Sequence, residues 1–154
     1  MIELCLGITA LVATIDLAIK HWVETHMSFQ REEPLLGGAG SLRRVHNTGM
    51  MLNIGDRKPN LVKYLSLVVT ILVSGVQVCL LGKKGYTNEK IGLALILGGA
   101  ISNTYDRVKR GFVVDFIGFN FKNKMLSSVT YNMGDFAIFL GGAITVCTTL
   151  FSKK

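Results

Sequence analysis

The sequence predicts an α-helical membrane protein of four transmembrane helices with a small β-like or lid element, and three observations carry that prediction. Of the 154 residues 49% are apolar and 18% charged, and the mean hydropathy is +0.42. That balance suits a small polytopic membrane protein better than a soluble globule. Residues 65–82 form an uncharged run of 18 residues, long enough to cross a hydrocarbon layer. Polar side chains gather where apolar segments end, at Asp16 and Lys20, at Asn103, Asp106 and Arg107, and at Asp135. The length allows one domain over 1–154. A net charge of +7 raises the possibility of nucleic acid. The basic residues lie between apolar segments and form no dense stripe, which points to anionic lipid headgroups instead.

The first helix is expected over about 2–23. Met-Ile-Glu at its start offers no basic n-region, so it reads as a retained helix and not as a signal peptide. Asp16 and Lys20, four apart, share one face and can pair, and Trp22 fits an interfacial belt. The connection 24–60 is long for a structureless loop, so an ordered or lid-like element is expected in it. Its segment 45–57 alternates polar and apolar positions as a strand or hairpin would, with a turn as the competing reading. Asn47 and Gly49 could line a site; His46 reads as a surface residue, with no ligand cluster at metal spacing around it. The second helix spans about 61–82, the third 89–106 and the fourth 134–151, with a second long connection over 107–133. Both of the last two helices contain LGGAI, at 97–101 and 140–144, a packing surface of small residues. Cys5, Cys79 and Cys147 fall inside apolar segments and read as space-filling. Four helices put both ends on one side. The density of Lys/Arg puts that side in the cytoplasm, whereas a raw count favours the reverse.

On the third helix Gly99, Asn103 and Asp106 recur at i, i+4 and i+7 and share one face, which is not a lipid-facing pattern. Arg107 can neutralise a carboxylate or hold a peptide carbonyl; the lesser reading has Asp106 and Arg107 simply anchor a helix end at the headgroups. Asp115 stands alone in the apolar GFVVDFI, where a strand edge or loop packed on the bundle would raise its pKa. Asn132 as an N-cap would put Asp135 in the first turn of the fourth helix, a plain capping arrangement. If Asp115 and Asp135 converge, both cannot ionise easily, and one acid with one base suits peptide hydrolysis through an activated water.

The blocks Asp16 and Lys20, HNTG at 46–49, GGAISNTYDRVKRGFVVDFI at 98–117 and TYNMGDFAIFLGG at 130–142 together resemble the lipoprotein signal peptidase (signal peptidase II) family, along nearly the whole chain. The resemblance implies an aspartic endopeptidase that cleaves diacylglyceryl-modified prolipoproteins before the lipidated cysteine, with catalytic Asp115 and Asp135. It implies that Asn47, Asn103, Arg107 and Asn132 contact substrate and that Asp16, Lys20 and Asp106 support the site. It implies no metal or organic cofactor, contacts with membrane lipids, a bacterial cytoplasmic-membrane location with cytoplasmic termini, and extracytoplasmic connections at 24–60 and 107–133. The chain departs from the family pattern at Ser102, Gly134, Tyr131 and the Met50-Met51-Leu52 run; the Met pair could reshape a substrate groove. Tyr105-Asp106 and Gly134-Asp135 superficially resemble presenilin-like and prepilin-peptidase motifs, but Asn132 stands where a glycine belongs and the chain is too short. A non-enzymatic reading uses the same acids for transport or for binding of lipoprotein precursors.

Overall fold

The computed structural model describes residues 1–29, 31–50, 54–123 and 127–151. Met51, Leu52 and the basic tail 152–154 therefore lie outside the described residues. Among the described residues there are four long helices, α1 (Ile2–His26), α2 (Pro59–Leu81), α3 (Thr87–Lys109) and α4 (Met133–Phe151). Between α1 and α2 stand β1 (Glu32–Leu35), a single 3-10 turn and β2 (Gly40–Asn47); between α3 and α4 stand β3 (Val113–Phe119) and β4 (Thr130–Tyr131). The strands make one antiparallel sheet in the order β1-β2-β3-β4.

Among the described residues, α1, α2 and α4 are long and apolar enough to cross a membrane. Their apolar side chains mostly face outward: in α2 only Val62 and Gln77 are buried, while Leu72 and Val78 are exposed. Such an outside suits lipid and not water. The third helix is different. It buries Lys90, Ser102, Asn103, Thr104 and Asp106 and packs against α1, α2 and α4. Enclosed by protein, it can be polar, and for that reason its composition alone does not mark it as a span.

Glycines set how closely the helices approach. A Cβ on Gly99 would fall on the backbone carbonyl of Gly134 in α4, and one on Gly98 would lie within 3.0 Å of Val12 and the Thr9 carbonyl in α1. Gly141 likewise meets the carbonyl of Gly92, whereas Gly142 faces open space. The two LGGAI segments thus contribute unequally to packing. Hydroxyls and thiols bind the helices together as well: Thr9 Oγ1 donates to the Ala94 carbonyl at 3.0 Å, and Cys5 Sγ to the Lys90 carbonyl at 3.7 Å. Cys5 is buried, but Cys79 and Cys147 are exposed on outward faces, so the space-filling reading holds for Cys5 alone.

The sheet sits on the C-terminal end of α1, where Val23 and Met27 pack against Val114 and Phe116 of β3. The strand expected to begin at Val45 lies upstream. It ends at Asn47 because the Asn47 Oδ1 accepts the Gly49 N–H at 3.0 Å and turns the chain. At Asp115 the strand β3 pairs with β2 through Val45, while its pairing with β4 is confined to Ile117 and Gly118. Among the described residues the side of β3 toward β4 is therefore an open edge at Asp115.

Replacing Gly99 by Ala forces a methyl into an unyielding backbone, so it should destabilise the fold by about 1–3 kcal/mol. Gly142→Ala should be near neutral. Melting temperatures of the two variants in detergent check the difference.

Candidate active site

The site grows from a buried cation. Lys20 and Asp16 lie one turn apart on α1, fully buried, with Nζ 2.7 Å from Asp16 Oδ2. A lysine ammonium has three N–H donors and no acceptor. Here Nζ faces Asp16 Oδ2, Asn103 Oδ1 at 2.7 Å and Ser102 Oγ at 3.1 Å. The Ser102 hydroxyl in turn donates to Asp16 Oδ2 at 2.5 Å. Asp106 Oδ2 stands 3.5 Å from the same ammonium, accepts the Val114 N–H at 3.2 Å and so ties α3 to β3.

Since Asn103 Oδ1 must accept from Lys20, its Nδ2 is turned outward and donates to Asp135 Oδ1 at 2.9 Å. The same Oδ1 accepts from Asn132 Nδ2 at 3.1 Å, and that Nδ2 also meets Asp115 Oδ1 at 2.7 Å. Asn132 is the N-cap of α4. Its Oδ1 accepts the Asp135 N–H at 2.9 Å, while Asp135 Oδ2 accepts the Asn132 N–H at 3.1 Å. This reciprocal capping box fixes Asp135 in the first turn. The capping arrangement weighed from the sequence is present, and so is the convergence: Asn132 holds Asp115 with its side chain and Asp135 with its backbone. The second oxygen of Asp115 accepts from Asn47 Nδ2 at 2.9 Å.

Arg107 reaches over this network, with Nη2 2.9 Å from the Gly49 carbonyl and Nη1 3.4 Å from the Asn103 carbonyl. Asn47, Asn103, Arg107, Asp115, Asn132 and Asp135 all line one cavity of about 260 Å³, whose other wall runs over Ser128, Val129, Thr130 and Tyr131. Asp16, Lys20 and Asp106 stay behind it, fully buried. Burial, reinforced by the nearby Asp135 carboxylate, pushes the Asp115 pKa up to about 7 against the pull of its two amide donors and Lys20. Among the described residues no group of three or more His, Cys, Asp or Glu could hold a metal ion.

All nine residues singled out from the sequence therefore belong to one connected cluster, six at the cavity and three beneath it. Ser102, visible in the sequence only as a departure from a family pattern, is a full member. Its i, i+4 spacing to Asp106 was the available signal. His46 is not a plain surface residue: its Nε2 lies 3.0 Å from both Glu24 oxygens, its ring stacks on Phe112, and Arg44 joins the same carboxylate. That cluster locks β2 to the end of α1.

Residues 8–151 match the family model described as Signal peptidase (SPase) II. The lipoprotein signal peptidase of Buchnera aphidicola subsp. Schizaphis graminum is 31% identical over 138 residues, covering 88% of this chain and 86% of that protein. The lipoprotein signal peptidase of Pseudomonas aeruginosa (strain UCBPP-PA14) is 32% identical over 151 residues, covering 97% and 89%. A solved bacterial membrane enzyme shares the fold with a TM-score of 0.85 at 22% identity, over 100% of this chain and 93% of that one.

The Asp115 carboxyl supplies a test independent of any relative. Its folded pKa lies above the ordinary 3.8, so its contribution to stability is present below about pH 4 and is lost as pH rises through about 7. The melting temperature of the wild type should therefore fall relative to Asp115→Asn between pH 5 and pH 8, read from thermal unfolding of both across that range.

Proposed function

The chain belongs to the signal peptidase II family, and from that premise we infer that it removes signal peptides from prolipoproteins as an aspartic peptidase. The observation that carries the reading is the joining of Asp115 and Asp135 through Asn132 at the wall of a cavity. Two carboxyls coupled in this way share one proton near neutrality. The N-terminus of α4 favours the ionised form of Asp135, which leaves the shared proton to Asp115, whose carboxyl is pushed up to about 7 by burial. Asp135, held by the Asn103 amide and the Asn132 N–H at the start of α4, then acts as the base.

In this mechanism Asp135 takes a proton from water as the oxygen attacks the scissile carbonyl carbon, and Asp115 donates to the carbonyl oxygen. Collapse of the tetrahedral species breaks the C–N bond as the proton on Asp135 passes to the leaving amine. A hydroxyl proton returns to Asp115, which leaves a carboxylic acid and restores the starting pair. Asn47, Asn103 and Asn132 keep the carboxyls aimed, and Arg107 offers its remaining N–H groups to the peptide backbone. Asp16, Lys20 and Asp106 act from beneath, fixing Asn103 and β3. The substrate is a diacylglyceryl-modified precursor, cut just before the lipidated cysteine, with lipid and signal helix entering between helices.

Residues 1–154 are read as one membrane-embedded peptidase domain in which α3 is the fourth span. At about 34 Å for 23 residues it is long enough, and its three neighbours shield its polar groups. The connections 24–60 and 107–133 lie outside the bacterial cytoplasmic membrane, with the site near that face. Helix packing supports this orientation. Cys5 meets Lys90, and Gly92 meets Gly141 near Thr145, so both chain ends share one end of the bundle with Lys83 and Lys84. The opposite end is rich in arginine, but Arg31, Arg44 and Arg110 pair with Glu33, Glu24 and Asp106. Raw counting therefore overstates its free positive charge.

In-membrane cleavage of a diacylglyceryl-modified prolipoprotein tests the reading. Wild type should cut it, and Asp115→Asn and Asp135→Asn should each lower the rate by at least a thousandfold with the melting temperature retained; full activity in either variant would refute the dyad. The unlipidated precursor should be cut at least tenfold more slowly, and equal rates would refute recognition of the lipid.

A further inference from the structure

Arg43 lies outside the nine residues of the cluster, yet its guanidinium governs the far wall of the same cavity. The pairing of β3 with β4 covers only Ile117↔Tyr131 and Gly118↔Thr130. Among the described residues no strand pairs with the chain just before Thr130, although Ser128, Val129, Thr130 and Tyr131 line the cavity. Backbone carbonyls there need donors from elsewhere. Arg43 supplies them: Nε donates to Thr130 Oγ1 at 2.9 Å, and Nη2 to the Ser127 carbonyl at 2.9 Å and the Val129 carbonyl at 3.1 Å.

The path of this side chain is built into β3. It crosses Gly118, where a Cβ would lie 2.8 Å from both Cζ and Nε of Arg43. A planar fork of donors can serve three acceptors at once, as a lysine ammonium on a flexible stem cannot in the same geometry. The acceptors are neutral, and the nearest acid, Glu32, stands 4.0 Å away and is half exposed. Shape and hydrogen bonding, not charge pairing, therefore explain the contact.

We propose that Arg43 is a positioning residue of the peptidase, holding the 127–131 wall at a fixed distance from the aspartate pair and so setting how the substrate backbone fits the cavity. This rests on the reading of the cavity as the peptidase site. None of the donors to Asp115 and Asp135 touches Arg43, since they come from Asn47, Asn103 and Asn132. Loss of the guanidinium should accordingly weaken substrate binding and leave the chemical step intact.

Steady-state cleavage of a lipidated precursor by the purified full chain in a lipid environment decides the matter. Cleavage by the wild type comes first, and its absence would count against the function and not against Arg43. Arg43→Met should raise KM about 5- to 10-fold, the equivalent of one to two lost hydrogen bonds, with kcat within twofold, and Arg43→Lys should recover part of the loss. Gly118→Ala, which displaces the guanidinium without removing it, should raise KM similarly and add nothing in the Arg43→Met background. An unchanged KM, a fall in kcat alone, a lower melting temperature with both constants intact, or simple additivity of the two substitutions would overturn the proposal. Should Arg43→Met fail to fold, Gly118→Ala alone decides by the same KM criterion.

Discussion

Everything at the polar end of this bundle depends on the ammonium of Lys20. It is fully buried, and each of its three N–H groups has an acceptor within 3.1 Å. An asparagine amide can flip at little cost in water; here the cation forbids the flip of Asn103, because its oxygen must face Nζ. Asn103 in turn imposes a direction on Asn132, whose amide nitrogen is shared between Asn103 and Asp115. One charge thus fixes the hydrogen-bond sense of a chain that ends on two carboxyls. Without it Asp16 and Asp106 would be buried carboxylates with a lost partner, a loss of about 3–5 kcal/mol for a broken buried pair. The Asp16–Lys20 pair is therefore better understood as a director of orientation than as a source of stability.

The fold separates two solvents within one small chain. Apolar side chains of α1, α2 and α4 face outward, while the polar groups are collected on α3 and on the strand that follows it. Glycine contacts bring α1 and α4 against α3 closely enough for short side chains such as Ser102 and Asn103 to bridge helices. The sheet then supplies what helices cannot: a strand that carries Asp115 in a slot between Asn47 and Asn132.

Much of this was legible in the residues themselves. Helical spacing placed Asp16 with Lys20 and Asn103 with Asp106, and the first-turn position of Asp135 followed from Asn132 as a cap. These are local relations, fixed by a 3.6-residue period. The strand reading of 45–57 holds only for its first three residues, since Asn47 Oδ1 accepts the Gly49 N–H and turns the chain, as the competing turn reading has it. The role of Arg43 was invisible, since it depends on a glycine 75 residues away in sequence and on a strand pairing only two residues long. Ser102 was hidden for a different reason: its spacing to Asp106 puts it on the polar face of α3 but does not reveal that it meets Asp16 and Lys20 of α1. Hydropathy marks α3 less clearly than the other three helices because its polar face is enclosed by protein.

That enclosure bears on how the molecule comes into being. In a helix still facing lipid, the amide of Asn103 and the carboxyl of Asp106 would be groups in want of partners. One set of partners, Lys20 and Asp16, has already been synthesised when α3 emerges, and the turn at 82–86 is short enough to bring α3 in beside α2 as a hairpin. Asp135 and Asn132 arrive only with α4. The two aspartates therefore meet at the closing step of assembly, and a nascent chain in the membrane holds only half of the pair until its helices have docked.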